Sequence, residues 1–257
     1  MLEFIRPKRA ITDLEWGQTT KGGGVSDFSV NGDPTLLAFR QNTLNLATHV
    51  HDDPKAVDEN WRRFSKASAW SRETVATCQQ VHGASILEVS TGGHHARDAD
   101  ALISRQPGLA VGVFTADCVP ILVVDPGKRE VAAIHCGWKG VLAKLADKTI
   151  TQLVGGDDDR RSELLVWIGA AIQCDSYEVG PEVAQQFDES VYKQGKPGKF
   201  QLDLPKAIHD QLQQSGIVNF NIENCSIDTY TFSKSVFSFR ADAKKTGRMM
   251  TFVGFLK

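Results

Sequence analysis

Apolar residues along this chain fall into short, dense runs of differing period, and each period predicts a different element. Leu109 to Val124 and Val131 to His135 are rich in Val and Ile and flank Asp125-Pro126-Gly127-Lys128, the pattern of a buried β-hairpin closed by a tight turn. Directly afterwards the period changes. Between Gly137 and Leu153 the apolar residues Trp138, Val141, Leu142, Leu145, Ala146, Ile150 and Leu153 recur near every 3.6 positions, and Gly155-Gly156 supplies a stop, so a helix is expected. A second helix is expected from Asp53, a residue type suited to the N-cap, through Pro54 to about Ala67. Thr74 to Val89 reads as two short strands or one bent strand divided at Gly83. Leu164 to Ile172 reads as a buried strand, Pro181 to Phe187 and Pro205 to Gln214 as helices, and Ile217 to Ile222, Val236 to Arg240 and Met249 to Leu256 as closing strands. Gly22 to Gly24 reads as a turn, with an anion-binding nest of backbone N–H groups as the alternative. Because the hairpin joins neighbouring strands without a helical crossover, a mixed sheet, or two packed sheets covered by helices, is favoured over a purely parallel one.

Composition narrows the function classes. The 257 residues carry 29 Lys+Arg against 31 Asp+Glu, a net charge of −2, which removes the electrostatic reason to expect nucleic-acid or anionic-membrane binding. No apolar run approaches the roughly 20 residues of a spanning helix, and the first fifteen residues lack the apolar core of a secretory signal, so a soluble cytoplasmic protein is expected. No repeat or Pro/Gly/Ser linker divides the chain, and one domain over residues 1–257 is expected, with a monomer as the simplest state. Five cysteines at spacings of 40, 18, 38 and 51 residues form no CxxC pair and fit free thiols or thiolate ligands better than disulfides.

One cysteine and two histidines stand out. If the hairpin turns about the Pro126–Gly127 bond, Cys118 falls directly opposite His135, where Cβ atoms lie about 4.5 to 5.5 Å apart. His82, in Gln79-Gln80-Val81-His82-Gly83, sits at the interruption of a strand. Two His and one Cys suit zinc and leave a fourth position open, the arrangement of a catalytic zinc. Two other readings stay open: a metal-free dyad with Cys118 as nucleophile and His135 as base, and a buried thiol beside two histidines satisfied by backbone. His49-Val50-His51 would place both imidazoles on one face of a strand, as in copper sites, while His94-His95 has the composition of an exposed loop. Arg240 and Arg248, near the ends of the closing strands, are suited to bidentate phosphate binding.

Ordered blocks then carry a resemblance over nearly the whole chain. They are Thr19-Thr20-Lys21-Gly22-Gly23-Gly24-Val25-Ser26, Gln80-Val81-His82-Gly83, Asp98-Ala99-Asp100-Ala101-Leu102-Ile103, Thr115-Ala116-Asp117-Cys118-Val119-Pro120 and Ala133-Ile134-His135-Cys136-Gly137-Trp138-Lys139-Gly140, followed by Tyr177-Glu178-Val179-Gly180, Phe237-Ser238-Phe239-Arg240 and Thr246-Gly247-Arg248-Met249. Together they resemble the laccase-domain or polyphenol-oxidase-like family, whose members are also described as purine nucleoside phosphorylases and peptidoglycan editing factors. The resemblance implies a single α/β domain of two packed mixed β-sheets flanked by helices, a four-layer α/β/β/α fold akin to a bacterial toxin with a Cys–His deamidase site. It implies that the family's zinc trio falls on His82, Cys118 and His135. For activity it implies phosphorolysis of adenosine, inosine, guanosine and methylthioadenosine, together with adenosine deamination, so the expected partners are a nucleoside and phosphate. Zinc is the expected metal, with copper as the alternative.

The chain departs from the family pattern at several positions. Lys139 stands where an arginine is common, so a bidentate phosphate contact there would be weakened. Ala170 replaces a usual proline, Asp228 a frequent cysteine, and the paired arginines are here Arg240-Ala241. The count of histidines bears on the oxidase name: a four-copper oxidase needs about ten histidines in several HxH pairs, and this chain has seven with one such pair. The favoured expectation is zinc at His82, Cys118 and His135, phosphate at Arg240 or Arg248 with Lys139 as a weakened contact, and Asp117 orienting a ligand or the ribose hydroxyls. Cys118, His135 and Asp117 are thus the catalytic candidates.

Overall fold

The computed structural model describes residues 2–28, 41–242 and 245–257. The apolar runs are continuous because the strands they form are buried on both faces. Along Val119–Asp125, Ile121 and Val123 pack towards helices while Leu122 and Val124 pack towards a second sheet. The same division holds on the other sheet, where Val111 and Val113 face the sheet-to-sheet core and Ala110 and Phe114 face a helix.

Two six-stranded mixed sheets result. One has the order Phe4–Ile5, Leu14–Thr19, Met249–Phe255, Ala110–Thr115, Val75–Gln79, Gly93–Asp98. The other runs Ile222–Asn224, Leu165–Ile168, Val119–Asp125, Glu130–Cys136, Ala101–Ser104, Ile86–Val89. Trp16, Leu102, Leu122, Trp167 and Val253 fill the space between them. Helix Pro54–Ala67 covers the first sheet with Val57, Trp61 and Phe64, while helices Leu145–Val154 and Leu204–Gln214 cover the second. The order of layers is therefore helix, sheet, sheet, helix, as expected. Glu178–Val179, Phe200–Leu202 and Tyr192–Gln194 form a small third sheet. No helix among the described residues is long and apolar enough to cross a membrane.

Several sequence expectations hold. Asp53 caps the helix that starts at Pro54, its side chain accepting from Lys55 N, and the Thr74–Val89 segment splits into Val75–Gln79 and Ile86–Val89. Others are corrected. The run Leu109–Val124 is two strands in different sheets, so the hairpin consists of Val119–Asp125 and Glu130–Cys136 alone. Its register pairs His135 with Pro120, because four residues, Pro126 to Arg129, form the connection; Cys118 lies one pleat beyond His135's partner and on the same face. The helix expected from Gly137 to Leu153 breaks into Trp138–Leu142 and Leu145–Val154 at Lys144, whose φ of 54° is left-handed. Gly22–Ser26 is a strand rather than a turn, bridged to Thr43, with the Gly24 backbone against the Thr43 carbonyl. His94 and His95 lie on the edge strand Gly93–Asp98, and the bend at His49 to His51, with His51 at φ 57°, is no strand. Val236–Arg240 is no strand, with only Phe239 and Arg240 in a turn, and the strand expected at Ile217–Ile222 begins only at Ile222, after a 3-10 turn at Asn219–Asn221.

Candidate active site

Three connections cross from the first sheet to the second at one end of the molecule, and each carries a residue of the site. The first joins Val75–Gln79 to Ile86–Val89 and holds His82; the second joins Gly93–Asp98 to Ala101–Ser104 and holds Asp100; the third joins Ala110–Thr115 to Val119–Asp125 and holds Cys118. His135 approaches from the end of its strand. The imidazole nitrogens of His82 and His135 and the Cys118 sulfur lie within 4.8 Å of one another, the one group of three potential metal ligands of this kind among the described residues. The His82 and His135 rings meet edge to face at 4.7 Å.

Asp100 organises this trio. Its fully buried carboxylate accepts from His135 Nδ1 at 2.8 Å, from His82 N at 2.9 Å and from Gly83 N at 2.6 Å, so one side chain orients one ligand ring and fixes the backbone of another. The backbone bonds hold His82 at φ 58°, a left-handed conformation that a non-glycine residue seldom adopts without such support. With Nδ1 of His135 committed to Asp100, Nε2 is the nitrogen left for a ligand role.

Gly137 shapes the same space. It follows the last pair of the hairpin, Cys136 with Val119, and a Cβ there would come to 3.2 Å from His82 Cδ2 and 3.3 Å from Cys118 Sγ. The missing side chain leaves room at the meeting point of the three donors, and a His–Cys–His set of neutral and thiolate donors fits a soft to borderline divalent metal. Electrostatics favour the thiolate: burial opposes its ionisation, but the His135 and His82 contacts outweigh that and bring the Cys118 thiol down to about 6. For His135, burial works against the charged form, while the Cys118 thiolate and Asp100 carry it up to about 9.

The trio opens into a cavity of about 550 Å³, within the range typical of small-molecule sites. Aromatic side chains Phe114, Trp138, Tyr177 and Phe239 line it, together with His49, Arg240 and Arg248. Arg248 is half-buried, its Nη1 donates to the carbonyls of Thr246 and Gly247, and among the described residues no carboxylate pairs with it. Its guanidinium lies over the Phe239 ring at 5.6 Å. Arg240 is exposed, donates to the Glu178 carbonyl and covers the Tyr177 ring at 5.4 Å. Lys139 is not in the lining: it is exposed, with Nζ 5.6 Å from the Trp138 ring.

Asp117 borders the cavity with its carboxylate already engaged. Oδ1 accepts from Thr229 Oγ1 at 2.6 Å and Ser238 Oγ at 2.7 Å, and Oδ2 accepts from Arg240 N at 2.7 Å. These bonds tie the 229–240 segment to the crossover that carries Cys118. Burial pushes the Asp117 carboxyl above its usual value despite them.

The family described as multi-copper polyphenol oxidoreductase laccase matches residues 15–256. The chain belongs to that family. Within it, purine nucleoside phosphorylase YfiH of Escherichia coli is 33% identical over 218 residues, covering 82% of this chain and 86% of the relative. Purine nucleoside phosphorylase PA4543 of Pseudomonas aeruginosa is 32% identical over 243 residues, covering 91% and 90%. Among solved structures, YlmD of Geobacillus stearothermophilus superposes with a TM-score of 0.84 at 29% identity, covering 99% of each chain. Neisseria meningitidis protein NMB0706 gives 0.83 at 27% identity, covering 100% of this chain and 99% of that one.

The sequence singled out His82, Cys118, His135, Arg240 and Arg248, and the fold brings all five to one laccase-family cavity. Asp100 and Tyr177 lay within quoted motif blocks and received no role. An acidic residue immediately before an all-buried strand, Ala101–Ser104, is the signal that could have marked Asp100, since such a carboxylate needs several donors to be buried.

Proposed function

We propose that this laccase-family chain is an enzyme of one domain, a zinc-dependent purine nucleoside phosphorylase acting on adenosine, inosine, guanosine and methylthioadenosine, with adenosine deamination at the same site. The observation that carries the reading is the pairing, in one aromatic-lined cavity, of a metal-competent His–Cys–His trio with an arginine that has no carboxylate partner among the described residues. The names of the relatives support it.

His82, Cys118 and His135 would hold the metal. When bound there, zinc supplies Lewis acidity for activating water or polarising phosphate. Arg248 binds phosphate: its fork lies in the cavity wall, and partial burial of a cation with no carboxylate in ion-pair range among the described residues favours an incoming anion. Arg240 is the weaker phosphate candidate because it is exposed and already bonded to Glu178, and Lys139 lies outside the lining. Asp117 acts by position, holding the segment that carries Phe239 and Arg240 over the cavity, rather than by contacting ribose with a carboxylate that already accepts three bonds. Apolar and aromatic walls take the purine and exclude water from the ribose carbon, where positive charge develops.

Incubating the pure protein with adenosine and phosphate, and separating the products by chromatography beside a His82→Ala variant, tests the reading. Adenine and ribose-1-phosphate from the wild type alone support the phosphorylase; inosine formed without phosphate dependence supports deamination. Absence of both products at micromolar enzyme overturns the reading. Zinc near one equivalent per chain by elemental analysis tests the metal.

One observation favours a second reading. The Cys118 sulfur and a His135 ring nitrogen lie within 4.8 Å of one another, and mutual attraction draws the thiol down and the imidazole up, a pairing that also suits a cysteine hydrolase acting on amides or peptidoglycan precursors. Alkylation of Cys118 would then abolish turnover that chelators leave intact.

A further inference from the structure

Cleaving a glycosidic C–N bond at neutral pH leaves the purine as a poor leaving group unless its developing negative charge is met by a donor. In the cavity most polar side chains are already committed. Asp117 accepts three hydrogen bonds, His135 Nδ1 faces Asp100, and the remaining trio nitrogens and sulfur converge on one another. Arg248 serves the anion in the reading above.

Tyr177 is different. Its ring packs against the core beneath the second sheet, and its backbone is fixed by bonds from Tyr177 N to the Gln173 and Cys174 carbonyls and from Leu202 N to its own carbonyl. The ring face is covered by the Arg240 guanidinium at 5.4 Å, while the residue lines the cavity that also holds Cys118. Among the described residues its hydroxyl has no hydrogen-bond partner, and it is not a fully enclosed atom. A phenol mounted in the wall of a nucleoside-sized cavity, its O–H without a partner among the described residues, is able to donate to an acceptor bound there.

We infer that the Tyr177 hydroxyl donates a hydrogen bond to a ring nitrogen of the departing purine, making Tyr177 a catalytic residue of the phosphorolysis; the inference rests on the phosphorylase reading. As the C1′–N9 bond breaks, its electron pair passes to the purine, and an oxygen of hydrogen phosphate forms the new bond to C1′. The proton that hydrogen phosphate loses ends on the free base, so the phenol stabilises the leaving group without net consumption. Burial pushes the phenol up to about 12, so it is a protonated donor throughout the neutral range, and Arg240 over its face strengthens that donor electrostatically.

A leaving-group comparison with Tyr177→Phe tests this. Inosine leaves as an anion that needs a donor, whereas 7-methylguanosine already carries positive charge on its imidazole ring and leaves without one. Replacing Tyr177 by Phe is expected to lower kcat/KM for inosine by about 100-fold, with the effect in kcat, while the loss with 7-methylguanosine is only a few-fold. Turnover of 7-methylguanosine and an unchanged zinc content show that the variant is folded. Equal losses on both substrates would mean that Tyr177 only supports the cavity, and overturn the inference. Wild type that cleaves neither nucleoside in the presence of phosphate would overturn the phosphorylase reading itself, a result distinct from the first.

Discussion

His135 Nδ1 lies 2.8 Å from Asp100 Oδ1, and the same carboxylate receives the backbone N–H groups of His82 and Gly83. One buried acid thus sets the tautomer of one imidazole and the backbone of another. Asp100→Asn keeps the shape but replaces one carboxylate oxygen by a donor that faces N–H groups. Zinc affinity, measured by competition with a chromophoric chelator, is expected to fall by about 10- to 100-fold.

Gly137→Ala is a steric test of the same space. Its φ of −77° suits alanine, so the backbone tolerates the change, but the new Cβ meets His82 Cδ2 and Cys118 Sγ. Metal occupancy and nucleoside turnover are expected to drop together by about tenfold or more, while the thermal midpoint of the metal-free protein moves little. A variant that binds zinc as tightly as the wild type would show that the three donors do not meet beside Gly137.

Arg248→Gln removes the fork assigned to phosphate. Hydrogen bonds to a charged group contribute about 1.5 to 3 kcal/mol, so KM for phosphate is expected to rise about 10- to 100-fold with a smaller change in KM for the nucleoside. The corresponding Arg240→Gln and Lys139→Gln variants are expected to raise phosphate KM less, because Arg240, though it lines the cavity, is exposed and bonded to the Glu178 carbonyl, and Lys139 lies outside the lining. Initial rates across a phosphate series separate the three.

Asp228 ties the 173–176 turn to the 228–231 turn. It accepts from Ser176 Oγ and Thr231 Oγ1, each at 2.5 Å, and from the backbone N–H groups of Gln173 and Tyr230. Burial opposes its ionisation, but these bonds hold the carboxyl below its usual value. A carboxyl depressed in the folded state contributes stability above its unfolded value, about 3.9, and the contribution is lost as pH falls through the folded value. Asp228→Asn is therefore expected to cost about 1 kcal/mol at pH 7, read as a lower urea midpoint, with the gap to wild type closing at pH 3.

Much of the local structure was legible from single segments, because caps and periods act over a few residues. The Asp53-Pro54 helix start, the division of Thr74–Val89 and the strand at Met249 follow from such signals. Where the sequence misled, a signal was shared between states: the apolar run from Leu109 to Val124 reads the same whether it is one strand or two strands that change sheets at Ala116-Asp117-Cys118. The hairpin register was one pleat off, since turn length cannot be read from Pro and Gly alone, yet Cys118 and His135 kept a common face because side chains alternate with period two.

By itself the sequence determined the chemistry available: a Cys and two His suited to a metal, arginines suited to an anion, and too few histidines for a four-copper cluster. Only the tertiary structure decided that three sheet-to-sheet crossovers meet at one end, bringing Asp100, to which sequence reading assigned no role, to His82 and Cys118. It also placed Arg248 and Arg240 in the lining of one cavity and left Lys139 outside. The physical reason is that periodicity and capping report forces between near neighbours, whereas a site is set by which distant backbones the packing of two sheets forces into contact.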